Sequence, residues 1–359
     1  MPQVLYLTLI KLDTLIEAYS PLATGNLLND PIISKIAKKY NTSNANICLS
    51  YCYLKHTLPL PKSTHKERIV NNINFFVNIS LDDIKIESNG YELEVHYFAV
   101  ESPKAIVQIM HGMEEHQERY EPFCQFLNAN GFSVYTSNMR GHGSNAPVLG
   151  YFGKKNGYKL LVQDQIKIAT YIKENNPDKK IYLFAHSMGT IVARNVLMTS
   201  SHFYNKICLP NPNFGAYIGL PVANTVSLFK GPEHYSQMLE DLAVGQFNKA
   251  VSNPKTGVDW VCKNESTVND YVNDPYCGHG FKAKAFSDLF HLVIKMRHSS
   301  NYNDVNDVPV LMLRGAEDPC TGYSKGAKHS IHILRKAGFT NIKEIVYPGM
   351  RHEILNEVE

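Results

Sequence analysis

Three side chains that follow apolar runs have the types that nucleophilic catalysis requires. Ser187 follows the run KIYLFA, Asp318 ends VPVLMLRGAED and His352 ends IKEIVYPGMRH. A histidine beside a serine takes the hydroxyl proton, and a carboxylate beside that histidine fixes its tautomer and stabilises the imidazolium. In enzymes whose three catalytic residues follow the chain order Ser, Asp, His, the serine nucleophile lies on a sharp turn between a strand and a helix. We therefore predict Ser187 as nucleophile, His352 as base and Asp318 as the residue that orients the base.

Each of these three residues also has an ordinary structural explanation. Ser187 would suit the cap of the next helix and Asp318 would suit a turn before a proline. A loop histidine such as His352, one of 15 in the chain, is more often a solvated surface residue. The combination favours catalysis, because all three follow predicted strands. Small residues at Ala185 and Gly189 fit a turn that brings strand and helix backbones close together.

A fourth loop offers hydrogen-bond donors for an oxyanion. The apolar run AIVQIM ends in His111-Gly112-Met113, and backbone amides there and at Met188 can point at one oxygen atom. A simple turn remains an alternative explanation for this loop. The stretch HGMEEH also resembles a zinc-binding helix, but His111 and His116 are five residues apart and follow a strand, so we expect no metal.

Strands and helices alternate through most of the chain, and this predicts how the loops are positioned. From residue 84 an Asn89-Gly90 hairpin is followed by repeated strand and helix patterns. Such alternation indicates a mostly parallel sheet with helices on both faces, whose active site lies at the carboxyl ends of the strands. Residues from about Pro210 to Asp307 contain helical patches without a clear strand, so we expect a helical insertion over that edge.

The first 78 residues form a separate predicted segment. They alternate short strands with helices, including a helix that begins at Asp30-Pro31. We interpret the apolar stretch in residues 1–11 as a strand or the edge of a helix. We place the domain boundary between residues 78 and 79, so that the second domain covers residues 79–359.

The composition excludes several classes of protein. Net charge is +3, with 36 basic and 33 acidic residues, which argues against a nucleic-acid partner. No apolar run is long enough to cross a bilayer. Seven scattered cysteines without a C-x-x-C pair favour reduced thiols, so we expect a cytoplasmic protein. The oligomeric state is not indicated.

The region from Ile84 to Glu359 resembles the monoacylglycerol lipase and lysophospholipase branch of the α/β-hydrolase family. The motifs that carry this resemblance are HGMEEHQERY, NMRGHGSN, AHSMGT, RGAEDP and PGMRHE. The resemblance implies an α/β-hydrolase fold and a serine hydrolase without a cofactor, acting on monoacylglycerol, lysophospholipid or similar acyl esters. It also implies that the Met113 and Met188 amides form the oxyanion hole. The insertion is then a cap that forms the acyl-chain pocket and allows transient contact with a membrane surface.

The sequence departs from this family at several positions. The family usually has glycine where this chain has Ala185 and Glu114, and aspartate where it has Asn138. Glu114 beside the oxyanion loop is expected to alter the loop or the acyl preference. The sequence ends at HEILNEVE, so we expect the family's final helix to be truncated, with consequences for stability and for His352.

The region from Leu15 to Phe76 resembles the C-terminal part of an aldo-keto reductase barrel. IEAYSPLATGNLL and LPLPKSTHKERI carry this resemblance. It implies that Tyr19 matches the residue that stacks on nicotinamide, and that Lys62, Ser63 and Arg68 match the NADP phosphate motif. A closed barrel needs eight strands and this region has about two, so we expect a vestigial fragment whose basic residues are solvated.

Other functions remain open at this stage. A peptidase or amidase of the same fold would use the same three residues. An NADP-binding reductase remnant and a catalytically impaired fusion are further alternatives. Epoxide hydrolases and dehalogenases are disfavoured, because they place aspartate where this chain has Ser187.

Overall fold

A computed structural model describes residues 16–54, 57–75, 83–210, 219–303 and 305–357. The chain divides into two compact units, residues 1–82 and residues 83–359. The predicted element in residues 1–11 and the predicted boundary between residues 78 and 79 lie outside the described residues. Among the residues that are described, no helix combines the length and the apolar character needed to cross a membrane.

The described residues of the N-terminal unit form two parallel strands and three α-helices. Its elements are β1 (Ile16–Tyr19), a 3₁₀ segment (Ala23–Asn29), α1 (Pro31–Lys39), α2 (Asn44–Leu54), β2 (Thr57–Leu60) and α3 (Lys66–Ile73). The Ile33 amide donates to Oδ1 of Asp30 at 3.0 Å, so α1 begins at the predicted cap and Pro31. Strands β1 and β2 pair from Ile16↔Thr57 to Tyr19↔Leu60. Ala37 and Ile47 form a small core between α1 and α2.

The second unit is built around one eight-stranded sheet. Its strands are β3 (Asp83–Ser88), β4 (Tyr91–Phe98), β5 (Ala105–Met110), β6 (Phe132–Ser137), β7 (Ile181–Ala185), β8 (Lys206–Pro210), β9 (Val310–Gly315) and β10 (Ile342–Tyr347). The helices that connect them are α4 (Glu121–Ala129), α5 (Gly157–Asn175), α6 (Met188–Ser200) and α11 (Tyr323–Ala337).

The strand order is β10-β9-β8-β7-β5-β6-β4-β3. Strands β5 to β10 are parallel, and β3 and β4 are antiparallel to their neighbours. Successive side chains of β5 enter different cores: Ile106 and Met110 belong to the core that contains α5 and α6, whereas Val107 and Ile109 pack with side chains of α4. The predicted α/β-hydrolase fold is thus correct, with helices covering both faces of the sheet.

The structure has one strand that the sequence analysis did not predict. β8 covers residues 206–210, directly before the predicted insertion. It lies between β7 and β9, pairing Phe184↔Cys208 and Cys208↔Leu311. The five-residue run is too short to show a clear period, and its pairing partners are distant in sequence.

The segment between β8 and β9 is helical where it is described. It contains α7 (Leu220–Lys230), α8 (Gln237–Glu240) continuing as a π-helical turn (Asp241–Gly245), a 3₁₀ turn (Asn248–Ala250), α9 (Glu265–Asn273), α10 (Ala283–Met296) and a further 3₁₀ turn (Ser299–Asn301). We call residues 219–303 the cap. Within that range the strand-type pairing is an isolated bridge between Tyr235 and Lys282.

Candidate active site

The turn between β7 and α6 holds Ser187 in a strained conformation. Its φ of 51° and ψ of −118° lie in a region that serine rarely adopts. A Cβ added at Gly189 would lie 2.4 Å from the Met110 carbonyl oxygen and 2.6 Å from the His111 oxygen. The close approach of α6 to the end of β5 therefore requires a glycine two residues after Ser187, as predicted.

The structure brings the three predicted catalytic side chains into one hydrogen-bonded row. His352 Nε2 lies 2.8 Å from Ser187 Oγ, and His352 Nδ1 lies 3.0 Å from Asp318 Oδ2. The carboxylate on one side assigns the proton to Nδ1, which leaves Nε2 free to accept the serine hydroxyl. His352 and Asp318 are buried, and Asp318 Oδ1 also accepts the Cys320 amide at 2.8 Å.

The surroundings of His352 tune its basicity. Burial by itself lowers its pKa, but the Asp318 carboxylate, with Glu353 and Glu115 further away, outweighs burial and raises the pKa above the usual value. The rings of His186 and Trp260 each lie with their centroids 4.9 Å from that of His352. Burial and then His352 lower the pKa of His186 to about 4, so His186 packs there as a neutral ring.

The predicted oxyanion loop lies against the nucleophile. A Cβ on Gly112 would be 3.2 Å from Cβ of Ser187. The Gly112 amide donates to Oε1 of Glu115, whereas the amides of Met113 and Met188 have no acceptor within the described part of the chain. Met188 is also the first residue of α6, where the helix dipole favours negative charge.

His111 holds this loop in place. Its Nδ1 lies 2.8 Å from the Gly112 carbonyl oxygen, and its Nε2 accepts the Met139 amide at 2.9 Å. Burial lowers the pKa of His111 to about 4, so the ring is neutral. Both ring nitrogens are engaged in positioning the backbone, which argues against the zinc-binding interpretation of HGMEEH.

An ion-pair network behind the site was not found by the sequence analysis. Arg119 donates to Oε2 of Glu115 at 2.5 Å and to both oxygens of Glu353 at 2.7 and 2.9 Å. Glu115 belongs to the oxyanion loop and Glu353 follows His352, so one guanidinium joins the two loops. The i,i+4 spacing of Glu115 and Arg119 could have indicated the first of these ion pairs from the sequence.

Two further groups of potential metal ligands lie among the described residues. One comprises His116, Asp274 and Cys277, and the other comprises Asp318, Cys320 and His352. His116 already contacts carboxylates through both nitrogens, Glu118 at 2.6 Å and Asp274 at 2.7 Å. These contacts account for the first group, and in the second group Asp318 accepts from His352 and from the Cys320 amide.

A cavity of about 600 Å³ opens at Ser187, a size typical of small-molecule sites. The apolar part of its lining comes from α6 and from the cap, including Ile191, Val244, Phe247, Trp260 and Leu289. The insertion therefore contributes to the lining of a cavity beside Ser187, as the family resemblance implies. The cavity also contains Glu114, one of the predicted departures from the family, with a left-handed φ of 53°.

The residues of the predicted NADP motif are placed in the N-terminal unit. Lys62 and Ser63 follow β2, and Arg68 lies in α3. The side chains of Lys62 and Arg68 are exposed, while Ser63 Oγ accepts the His65 amide at 3.1 Å in a local turn. Tyr19 is 89% exposed at the end of β1.

Comparison with known proteins gives a consistent family for the second unit. A family model named Hydrolase_4 and described as serine aminopeptidase, S33, matches residues 101–359. Human monoglyceride lipase is 24% identical over 284 residues, covering 76% of this chain and 84% of that protein. The structure of a thermostable carboxyl esterase from Bacillus coagulans has a TM-score of 0.71 and 25% identity, covering 78% of this chain and 93% of that one.

A shorter similarity connects the chain with a different class of protein. An uncharacterised oxidoreductase of Schizosaccharomyces pombe is 37% identical over 84 residues. The match covers 23% of this chain and 30% of that protein.

Proposed function

Because the chain belongs to the Hydrolase_4 family, we propose that it is a serine hydrolase that cleaves carboxylic esters of the monoacylglycerol or lysophospholipid type. The observation that carries this proposal is the hydrogen-bonded row from Ser187 through His352 to Asp318, which opens into a largely apolar cavity. The similarity to a monoglyceride lipase and a carboxyl esterase supports an ester, although the family description refers to peptide substrates.

The proposed mechanism has two stages that share the same groups. In the first, His352 Nε2 takes the proton of Ser187 as Oγ attacks the ester carbonyl carbon. The proton then passes to the leaving alcohol as the carbon–oxygen bond breaks and an acyl-serine remains. In the second, His352 takes a proton from water as the water oxygen attacks the acyl carbon. The bond between this carbon and Oγ then breaks, His352 returns the proton to Oγ, and the acid is released. Asp318 stabilises the imidazolium in both stages.

The negative oxygen of each tetrahedral intermediate is assigned to the Met113 and Met188 amides. Two observations support this assignment: Met188 directly follows Ser187, and Gly112, the residue before Met113, packs against Ser187 while its own amide is occupied by Glu115. Donors of this kind contribute most when they are fixed before the charge develops. The hydrogen bonds of His111 fix the loop in this way. The reaction needs water as the second substrate and requires neither a cofactor nor a metal.

We further propose that the N-terminal unit derives from an aldo-keto reductase and does not take part in the reaction. The short similarity to an oxidoreductase supports this origin. The exposure of Tyr19, Lys62 and Arg68 supports the lack of a working NADP site. The cytoplasmic location and the transient contact of the cap with a membrane surface stay predictions.

A panel of p-nitrophenyl and glyceryl esters of increasing acyl length tests the proposed function. Each methylene buried in the cavity contributes up to ~0.8 kcal/mol, so kcat/KM should rise with length and then fall when the cavity is full. A preference for acetyl over all longer esters would contradict an acyl-chain pocket. Turnover of aminoacyl amides without turnover of any ester would replace the esterase by an aminopeptidase.

A further inference from the structure

Two carboxyl groups meet in the cavity next to the oxyanion loop. Glu114 follows Met113, Glu240 ends α8 of the cap, and both line the cavity that opens at Ser187. The two groups are close enough to share a hydrogen bond. Glu114 is only 6% exposed, yet its Oε1 has no hydrogen-bond partner, and neither has the buried Oε2 of Glu240, among the residues described.

Contacts in the backbone hold Glu114 in this position. The carbonyl oxygen of Glu114 accepts the Gly278 amide at 3.0 Å and the Tyr271 hydroxyl at 3.1 Å. Its φ of 53° lies in the left-handed region, and the residue lines the cavity. A non-glycine residue in this conformation is strained, and the cap contacts to its carbonyl oxygen stabilise it.

The charges around the pair are mostly of the same sign. Five of the described residues that line the cavity are carboxylates, whereas Lys249 is the one lysine among them. Arg119 offsets two of these carboxylates, Glu115 and Glu353, but it pairs with them behind the site. Glu114 and Glu240 therefore have no comparable cation facing them among the described residues.

Two adjacent carboxylates repel each other when they are buried, and the pair responds by holding a proton. Burial and then Glu240 raise the pKa of Glu114, and burial also raises the pKa of Glu240. A cation placed beside the two carboxyl groups would replace this proton and offer a partner to the oxygens that lack one. A neutral ligand would leave the excess charge in place.

The aromatic ring of Tyr235 belongs to a residue that lines the same cavity as the pair. A Cβ on Gly280 would lie 2.3 Å from Cε2 of Tyr235, and burial and then Glu240 and Glu114 raise the pKa of the Tyr235 hydroxyl. Aromatic faces and carboxylates together favour ammonium groups.

We propose that Glu114 and Glu240 bind a positively charged ammonium group carried by the substrate, either in its alcohol part or in its acyl part. This inference rests on the proposed hydrolase function, because it names the class of substrate that the same cavity accepts. It also gives a role to the replacement of glycine by Glu114, which the family resemblance alone does not explain.

A binding experiment tests the ammonium site without relying on turnover. The Ser187→Ala protein is titrated with hexyltrimethylammonium and with the neutral analogue in which carbon replaces nitrogen. The readout is the fluorescence of Trp260, the single tryptophan of the chain, which lines the cavity. We expect the cation to bind at least about tenfold more tightly, about 1.4 kcal/mol.

Matched variants in the same background localise this preference. Glu114→Gln and Glu240→Gln keep the side-chain shape and remove one charge, so each should reduce the ratio of the two affinities. Glu233→Gln removes an exposed cap carboxylate and should leave the ratio unchanged. Equal affinity for the cation and its neutral analogue, or an equal ratio in all variants, would overturn the proposal.

Turnover by the unmodified protein identifies the part of the substrate that carries the charge. The first pair of substrates is a choline ester and the matching alkyl ester in which carbon replaces the nitrogen. In the second pair, the ammonium group or its carbon analogue lies in the acyl chain. A higher kcat/KM for the cation in either pair supports the proposal and identifies the side. If charged and neutral esters are cleaved with equal kcat/KM in both pairs, the ammonium site is contradicted, whereas the proposed hydrolase function is supported. If no ester is cleaved, the proposed hydrolase function is contradicted, and the titration still decides whether the cation binds in the cavity.

Discussion

The eight-stranded sheet and the two-stranded sheet both carry motif residues on loops that follow parallel strands, but with different results. In the larger sheet, the loops after β7, β9 and β10 bring Ser187, Asp318 and His352 into hydrogen-bond contact. In the N-terminal unit, Lys62 and Arg68 are exposed beside β2, and Tyr19 is exposed at the end of β1. We therefore expect these motif residues to form a working site only in the larger sheet, where further strands and helices enclose them.

The largest effect is expected in the larger sheet, from Asp318→Asn. The amide cannot hold His352 in the tautomer that accepts the serine proton, so kcat should fall about 10⁴-fold. Glu317→Gln is the matched control, because it changes an exposed carboxylate next to Asp318. Steady-state kinetics with one ester checks both variants. Comparable losses in the two variants would mean that position 318 has no special role.

The pH dependence of activity in Asp318→Asn tests the interaction between Asp318 and His352. In the unmodified protein Asp318 raises the pKa of His352, and the protonated ring cannot act as a base. Activity should therefore fall with decreasing pH at a midpoint above ~6.5, the value of an unperturbed histidine. The midpoint should move to lower pH in Asp318→Asn, because burial then dominates. An unchanged midpoint would contradict the assigned pair.

The next effect concerns the turn that presents the nucleophile. Gly189→Ala places a Cβ against the Met110 and His111 carbonyl oxygens and forces α6 away from β5. We expect a loss of about 1–3 kcal/mol in the free energy of unfolding, and about 10²-fold in kcat from misplacement of Ser187. Thr199→Ala, at an exposed position of the same helix, is the control. Denaturant unfolding and ester kinetics measure the two effects, and wild-type values in both would show that the turn is not tightly packed.

The smallest effect is expected from removing the N-terminal unit. A protein of residues 83–359 should keep the full-length kcat/KM per folded molecule, because the proposed reaction uses no residue of the N-terminal unit. The full-length chain should bind NADPH more weakly than ~100 μM, about 5.5 kcal/mol, and Arg68→Ala should not change this. Tighter NADPH binding, measured by calorimetry, would contradict the expectation that the N-terminal unit has no working NADP site. Loss of activity in a truncated protein that is folded by circular dichroism would contradict the expectation that this unit takes no part in the reaction.

The parts of the structure that could be predicted from sequence are those with a strong local signal. The hairpin at Asn89-Gly90 has both residues at positive φ. Gly112 packs against Ser187, and Gly189 packs against the end of β5, as the motifs indicated. These features depend on turn residues and on strand ends, which local sequence shows directly.

The features that sequence did not reveal depend on contacts between distant segments. β8 is five residues long and is defined by its pairing with β7 and β9. The meeting of Glu114 with Glu240, and of Arg119 with Glu353, joins residues more than a hundred positions apart. No local period or spacing encodes such pairs, so the fold must be known before they become visible.

Covalent labelling tests the central claim most directly. A fluorophosphonate probe reacts with a serine that is activated by a base, and mass spectrometry of the digested protein identifies the labelled residue. Our account predicts a single label on Ser187, the loss of that label and of ester hydrolysis in Ser187→Ala, and unchanged labelling in Ser144→Ala, an exposed serine of the GHGSN loop. Labelling of Ser187→Ala at the rate of the unmodified protein, or a label on Ser144 in its place, would contradict the account.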